Sequence, residues 1–229
     1  MSAISQFLIP LIARLRGQRV LVIGDIILDE YLIGDATRMS REAPIPVLEF
    51  ASRRLIPGGA ANPAANIVGL GGTAIQVGVI GSDNAATTLR QVLQAQGIDT
   101  YGLVTDPGRP TTVKMRIMAQ MGLRFPQQVA RIDTLSRQPI SDTVERRIRE
   151  VILKCIGDVD AVLLSDYHIG LLTPSLVDTI RKLALKNQHQ SLLTADAQGA
   201  LEKYTGFAVV KCNADEARAY LRRDLVTDE

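Results

Sequence analysis

Four short aliphatic runs, each followed at once by a polar or thiol residue, constrain the fold of this chain more than any other feature. The runs cover residues 19–24, 161–165, 191–195 and 207–211, and the residues that follow are Asp25, Asp166, Asp196 and Cys212-Asn213. Uninterrupted aliphatic runs are typical of strands buried on both faces, as in parallel sheets. Ligands of open parallel sheets bind at the carboxyl ends of the strands. The pattern therefore predicts an α/β protein with a site along that edge.

Helical patterns supply the connections that a parallel sheet needs. They are predicted over residues 84–96, 141–156, 174–186 and 214–222. Asp83 is placed to cap the first of them through its side-chain oxygen. Residues 74–80 predict one more buried strand. At 229 residues, the chain is long enough for one large α/β domain.

Two segments, roughly 27–56 and 110–133, differ from the rest of the chain. They contain short β-like pieces bounded by turn residues, with no helical pattern of useful length. These pieces are expected to form a small antiparallel lid beside the main sheet.

Charge and cysteine content narrow the class of protein. The balance of 26 basic and 24 acidic residues gives a formal charge of +2, which favours neither a nucleic-acid nor a membrane-surface partner. Cys155 and Cys212 lie in apolar surroundings and fit reduced, buried thiols of a cytoplasmic protein, although a disulfide between them is an open alternative. Residues 4–15 repeat apolar side chains at helical spacing with the positive charge last, so a docked amphipathic helix is expected there and not a secretory signal. No transmembrane span is expected.

Several common cofactor sites are disfavoured by the motifs. The first strand ends in Gly24-Asp25 without the G-x-G-x-x-G of dinucleotide-binding folds, and no G-x-x-x-x-G-K-[ST] phosphate loop occurs. His168 and His189 are isolated, and no His/Cys cluster has metal-ligand spacing.

Residues 57–66, with the sequence PGGAANPAAN, carry the strongest local signal for a ligand. Gly58 and Gly59 lack a Cβ, so the backbone there can approach a ligand closely or adopt positive φ. Asn62 stands where the chain enters a helix, and Pro63 suits a first helical turn. Backbone N–H groups and an amide side chain would suit a polyol, which needs both donors and acceptors. A tight loop before a closely packed helix is an equally good interpretation of these residues alone.

Taken together, the motifs resemble the ribokinase-like (PfkB) carbohydrate kinases. The matching pieces are Gly24-Asp25, Gly58-Gly59-Ala60-Ala61-Asn62, Gly81-Ser82-Asp83, Ser165-Asp166-Tyr167 and Asn213-Ala214-Asp215-Glu216. Within that family, residues 29–47 are most similar to the D-glycero-D-manno-heptose 7-phosphate kinase branch. The resemblance implies a ribokinase-like sheet with helices on both faces, a β lid, ATP and Mg²⁺ as cofactors, and a sugar or sugar phosphate as substrate.

The resemblance also implies roles for individual residues. Sugar hydroxyls would be held by Asp25, Gly58, Gly59 and Asn62. A sugar phosphate would meet basic side chains of the lid as charge-assisted hydrogen bonds, namely Lys114, Arg116 and Arg131. Mg²⁺ and the ATP phosphates would be organised by Asp196, Asn213 and Glu216. Simpler interpretations remain open: a turn residue for Asp25, a helix cap for Asp196 and a solvated strand face for the lid cations.

This chain departs from the family pattern in two ways. Ile169 and Gln198 stand where lysines are expected, and the Gly-Ala-Gly-Asp segment that carries the general base does not occur in the sequence. The base is therefore expected beyond Glu229, in a truncated gene product or a part of a longer protein. Two hypotheses follow. One is an ATP-dependent phosphotransferase acting on a sugar hydroxyl, and the other is a non-catalytic sugar-phosphate-binding or subunit-interaction remnant of such a kinase.

The lid segments also carry an apolar pattern that predicts an assembly. The apolar residues expected on one face are Ile33, Val47, Leu48, Val113, Met115 and Ile117. Exposed apolar patches of this size are unusual on monomers. We therefore expect a homodimer that joins through the lid, as the family resemblance also implies.

Overall fold

The computed structural model describes residues 9–122, 125–186 and 191–224, which form two sheets and the helices around them. The strands are β1 Arg19–Gly24, β2 Ile26–Met39, β3 Pro46–Gly59, β4 Thr73–Ile80, β5 Asp99–Thr105, β6 Val113–Gln120, β7 Gln127–Thr134, β8 Ala161–Asp166, β9 Leu192–Ala197 and β10 Val209–Lys211. The helices are α1 Ala61–Gly69, α2 Asn84–Ala95, α3 Asp142–Cys155, α4 Pro174–Lys186 and α5 Ala214–Leu221.

The main sheet has six parallel strands in the order β10-β9-β8-β1-β4-β5. Its two faces bury separate apolar clusters, because successive side chains of a strand point to opposite faces. Leu21 and Ile23 pack with α3 and α4, whereas Val22 packs with α1 and α2. The predicted α/β fold, a parallel sheet with helices on both faces, is confirmed.

The second sheet has four strands in the order β3-β2-β6-β7. The pairs β2/β3 and β6/β7 are antiparallel, but β2 and β6 are parallel, so the expectation of a wholly antiparallel lid is wrong for that pair. The reason lies in the main sheet. Strands β2 and β6 follow β1 and β5, which both end at the same carboxyl edge, and the chain leaves that edge in one direction.

In the main sheet and its helices, the predicted ends agree with the structure to within about two residues. The short pieces expected at 27–56 instead form two strands of 14 residues each. Asp83 caps α2 as predicted, since its side chain accepts the N–H of Ala86 at 2.9 Å. The last strand begins at Val209, two residues later than predicted. Phe207 instead packs edge-on against the ring of Tyr204, with centroids 5.5 Å apart.

The N-terminal and cysteine expectations are met only in part. Residues 9–13 are helical, but Ile9 and Ile12 are about half exposed, so no docking is seen for the described part of that helix. Cys155 and Cys212 are both free and only partly buried. His189 and residues 4–8 lie outside the described residues. Over those described, no helix is long and apolar enough to cross a membrane.

Candidate functional site

The carboxyl edge of the main sheet brings three of the strand-end aspartates together. Gly24 pairs with Ser165, and Ser165 pairs with Asp196, so the ends of β1, β8 and β9 are in register. Asp25 and Asp166 directly follow the first two of these positions. The edge predicted to hold the site therefore does collect these carboxylates.

Asp25 is a buried carboxylate held by a distant loop. Its Oδ2 accepts the backbone N–H of Tyr167 at 2.8 Å and that of Ile169 at 3.1 Å. Burial raises the pKa of Asp25, and the nearby carboxylate of Asp166 adds to the rise, whereas the two N–H donors oppose it. Its carboxylate thus bonds to the loop after β8 and not to its own turn, the simpler interpretation left open by the sequence.

Gly59 is required by a close contact within the protein and by its backbone conformation. A Cβ at Gly59, where φ is +56°, would lie 2.2 Å from the carbonyl oxygen of Asp25. At Gly58 the nearest group is the Asp29 carboxylate, with Oδ2 at 2.3 Å from the Cβ position, and this side chain could move. The end of β3 can therefore pass directly against the turn after β1 because Gly59 lacks a side chain, which realises the closely packed loop left open by the sequence.

Asn62 lies in the first turn of α1 and is exposed. Its side chain makes no hydrogen bond with any of the described residues, and Ala60 at the N-cap offers no side-chain oxygen. The Asn62 amide thus has its donors and its acceptor available. This is compatible with a sugar hydroxyl as partner, and equally with solvent.

The three lid cations occur on one face of the second sheet. Lys114 pairs across the sheet with Asp29 and Asp133, and Arg116 pairs with Tyr31 and Arg131. Side chains that are directly opposite share a face. On this face Lys114 therefore lies between two carboxylates, and Arg116 lies between Tyr31 and Arg131.

These cations differ in their partners. Arg116 bonds to Oδ1 of Asp29 at 2.6 Å, with its guanidinium 5.2 Å from the ring centroid of Tyr31. Arg131 is bound by both oxygens of Asp133 at 2.8 and 3.0 Å and is half exposed. Lys114 forms no ion pair within the described residues.

Lys114 instead places its Nζ 5.2 Å from the ring centroid of Tyr167. Of the three predicted cations, it is thus the one with no carboxylate at ion-pair distance among the described residues. An incoming phosphate would gain most from this ammonium, because no existing ion pair has to be broken.

The residues predicted to organise Mg²⁺ and the ATP phosphates form hydrogen bonds and an ion pair within the protein. Asp196 accepts from Nζ of Lys211, its register partner on β10, at 2.9 and 3.1 Å. Asn213 and Glu216 form a capping box at the start of α5, with bonds of 2.8 and 2.7 Å. The helix-cap alternative is therefore realised by Asn213, and Asp196 has an ion pair instead.

A magnesium ion would find few direct ligands here. No group of three or more His, Cys, Asp or Glu side chains able to hold a metal occurs among residues 9–122, 125–186 and 191–224. One oxygen of Glu216 and the amide nitrogen of Asn213 have no hydrogen bond in that part of the chain. They could meet the water shell of a hydrated ion or an ATP phosphate, but the described residues do not form a direct magnesium site.

Tyr167 connects the two halves of the edge. Burial raises the pKa of its hydroxyl, followed by the charges of Asp196, Asp29 and Asp25, while Lys211 opposes the rise. The Tyr167 hydroxyl is therefore influenced by Asp25, by Asp29 of the lid and by the Asp196–Lys211 pair.

The sequence missed several residues of this region. Asp29, inside the lid, holds Arg116 and lies against Gly58. Lys203 and Tyr204 bind Asp166 from a 3₁₀ turn, at 2.6 Å each. Ile169, where the resemblance places a lysine, has its side chain buried. The cation beside Asp166 is Lys203.

Comparison with known proteins agrees with this arrangement. The family model described as pfkB family carbohydrate kinase matches residues 18–229. The chain is 38% identical over 200 residues to the Bifunctional protein HldE of Helicobacter pylori strain P12, which covers 87% of this chain and 42% of that protein. It is 36% identical over 220 residues to the protein of the same name from Hyphomonas neptunium, covering 96% and 44%. The chain thus spans less than half the length of these curated relatives.

Solved structures share the fold at low identity. Tetrameric inhibited phosphofructokinase-2 from Escherichia coli superposes with a TM-score of 0.64 at 16% identity, covering 93% of this chain and 66% of that one. Arabidopsis thaliana ribokinase complexed with ribose and ATP gives 0.59 at 16% identity, covering 89% and 62%. At such identities the likeness concerns the fold alone.

Proposed function

The chain belongs to the pfkB family of carbohydrate kinases, and from that premise we propose that its carboxyl edge binds a phosphorylated sugar as the acceptor of an ATP-dependent phosphotransfer. The observation that carries the proposal is that Tyr167 links a carboxylate suited to a sugar hydroxyl with a cation suited to a phosphate. Its backbone N–H donates to Asp25, and its ring centroid lies 5.2 Å from Nζ of Lys114, which has no carboxylate at ion-pair distance among the described residues.

The sugar-side chemistry follows from the groups present. A sugar hydroxyl can donate to a carboxylate and accept from an amide, which Asp25 and Asn62 provide. Gly59 lets the chain that leads to Asn62 pass close to the carbonyl of Asp25. Lys114 would then receive the phosphate, and Arg116 could join it by exchanging Asp29 for the phosphate oxygens.

A heptose 7-phosphate is the acceptor we favour. Residues 29–47 carry the resemblance to the heptose-phosphate branch, and they include Asp29, which binds Arg116. The similarity to proteins named HldE supports this choice. The lid thus contributes both the cations and the restraint on them.

ATP is the proposed phosphoryl donor, accompanied by Mg²⁺, as is general for kinases of this type. Phosphoryl transfer needs positioning and electrostatic stabilisation, together with a carboxylate to accept the hydroxyl proton. The family segment that supplies this carboxylate does not occur in residues 1–229. The sugar-side groups alone also fit a second candidate function, a sugar-phosphate-binding protein without turnover.

We also propose that the chain forms a homodimer through the outer face of the second sheet. Met115 and Ile117 pair with Glu30 and Leu32 on that face, whereas Ile33 pairs with Met118 and points the other way. On the same outer face, Phe50 is 72% exposed and Ile132 54% exposed. An apolar face of this kind suits the self-complementary contact of a two-fold dimer.

A coupled ADP-release assay with Mg-ATP and D-glycero-D-manno-heptose 7-phosphate separates the two functions. The kinase proposal expects acceptor-dependent ADP release that Asn62→Ala reduces. Binding of the sugar phosphate without any acceptor-dependent release would support the second candidate. If neither binding nor ADP release is observed, both candidate functions are refuted.

A further inference from the structure

Two buried carboxylates hold the loop after β8 from opposite sides. Oδ2 of Asp25 accepts from Tyr167 N–H and Ile169 N–H, and Oδ1 of Asp166 accepts from the intervening His168 N–H at 2.9 Å. Successive amides therefore point to alternate carboxylates. His168 has φ of +55°, a left-handed conformation that non-glycine residues rarely adopt, so the loop needs a restraint to keep this shape.

Asp166 is that restraint, and its own side chain is held by two consecutive residues far along the chain. Lys203 Nζ and Tyr204 hydroxyl both donate to its Oδ2 at 2.6 Å. Lys203 donates further to the carbonyl oxygen of Leu172 at 3.1 Å. The Asp166 side chain is 2% exposed. A carboxylate buried so deeply persists only with strong partners, and it cannot rotate toward another position without breaking charge-assisted bonds.

The same loop also reaches the lid, because the ring of Tyr167 lies beneath Lys114. A shift of residues 167–169 would therefore move the amides that orient Asp25 and the ring that supports Lys114. Hydroxyl binding and phosphate binding are both coupled to this one short segment.

We propose that Lys203 and Tyr204 are positioning residues for the Asp25 site. They fix Asp166, Asp166 fixes the loop through His168 N–H, and the loop amides hold the Asp25 carboxylate in the orientation that accepts a sugar hydroxyl. This inference rests on the proposed function, in which Asp25 binds the sugar.

The test compares Lys203→Met with Lys182→Met in the full chain. Both changes remove an ammonium that pairs with an aspartate, but Lys182 pairs with Asp178 on the exposed side of α4. Two readouts are taken, namely the amide proton shifts of Tyr167 and Ile169 by ¹⁵N NMR and the dissociation constant for D-glycero-D-manno-heptose 7-phosphate. A purely structural role would lower thermal stability but leave both readouts of the folded protein unchanged.

We expect Lys203→Met to move both amide resonances upfield and to weaken binding about tenfold, as for the loss of one hydrogen bond to a charged group. Lys203→Arg should restore most of the affinity, and Lys182→Met should match the wild type. Tyr204→Phe, which keeps the ring and removes one donor, should change both readouts in the same direction by less. If Lys203→Met fails to fold, Tyr204→Phe alone tests the inference.

The failures can be told apart. If the wild type binds no sugar phosphate, the proposed function fails and this inference falls with it. If the wild type binds but Lys203→Met and Tyr204→Phe keep its affinity, the inference alone is overturned. Amide shifts that move without any change in affinity would show that the loop is held by Asp166 but does not serve the sugar site, which also overturns it.

Discussion

Replacing Gly59 with alanine tests whether the turn at Gly58-Gly59 is built around close backbone contact. The new Cβ would lie 2.2 Å from the carbonyl oxygen of Asp25, and the side chain of Ile27 would be 2.8–2.9 Å away. The carbonyl cannot simply withdraw, because it accepts the N–H of Ala60 at 2.9 Å. The residue also has φ of +56°. Two penalties therefore act together.

Their sizes can be separated with matched variants. The left-handed conformation costs alanine about 1–2 kcal/mol, and forcing a methyl group into occupied space costs about 1–3 kcal/mol more. Gly59→Ala should therefore lower the free energy of unfolding by about 3 kcal/mol in total. Gly206 has positive φ but open space around it, so Gly206→Ala should show only the first penalty. Gly157, with neither feature, should tolerate alanine with little change.

Equilibrium urea unfolding followed by far-ultraviolet circular dichroism measures these differences, since the chain has no tryptophan for fluorescence. With a urea slope of about 2 kcal/mol per M, Gly59→Ala should lower the midpoint by about 1.5 M. The folded fraction of this variant should also bind sugar phosphate more weakly. Equal midpoints for Gly59→Ala and Gly206→Ala would refute the claim that the Asp25 carbonyl crowds this position.

Two further predictions concern stability and assembly. Asp83→Ala should destabilise the fold by about 2 kcal/mol at pH 7, because the side chain caps α2 and also accepts from Thr111 N–H at 2.8 Å. Burial alone would raise the pKa of Asp83, but the bonds from Thr111 and Ala86 hold it below its usual value. The stability that Asp83 contributes is therefore present above its unfolded-state pKa and is lost as pH falls through its lowered folded-state pKa. Thermal melts of the variant and the wild type should converge in acid. In size exclusion with light scattering, Phe50→Asp should elute as a monomer and the wild type as a dimer. Leu185→Asp, whose side chain is equally exposed on α4, should remain a dimer. A wild type that is monomeric at high concentration would contradict the lid dimer.

The fold could be predicted because the aliphatic runs of β1, β4 and β8 specify strands that are mostly buried on both faces. The direction of β6 could not, since an alternating pattern predicts a half-buried strand but not its partner or orientation. The parallel β2/β6 pair depends on where β1 and β5 deliver the chain. That is a property of the assembled sheet.

Only part of the candidate site could be expected from the sequence, because its groups come from distant parts of the chain. Asp25 follows a strand and could be singled out, but its donors come from Tyr167 and Ile169, far along the chain, and the sequence gives no signal for that contact. Lys203 lies in a short turn that resembles any polar loop.

Two local patterns did carry usable signals. The spacing of Asn213 and Glu216 is also that of a capping box, so a structural role could have been weighed from the sequence. Arg131 and Asp133 are two apart on one strand and must share a face. The pairing of Arg131 with Asp133, which leaves Lys114 as the more available cation, could therefore have been predicted from the sequence.

The most direct test of the central claim is a pair of calorimetric titrations with D-glycero-D-manno-heptose 7-phosphate and the unphosphorylated heptose. The wild type should bind the phosphate compound at least about tenfold more tightly, because Lys114 supplies a charge-assisted bond without losing an ion pair. Lys114→Met should remove that difference, Asn62→Ala should weaken both ligands, and Lys182→Met should behave as the wild type. Equal affinity for the two ligands, or an unchanged preference in Lys114→Met, would contradict the assignment of this edge as a sugar-phosphate site.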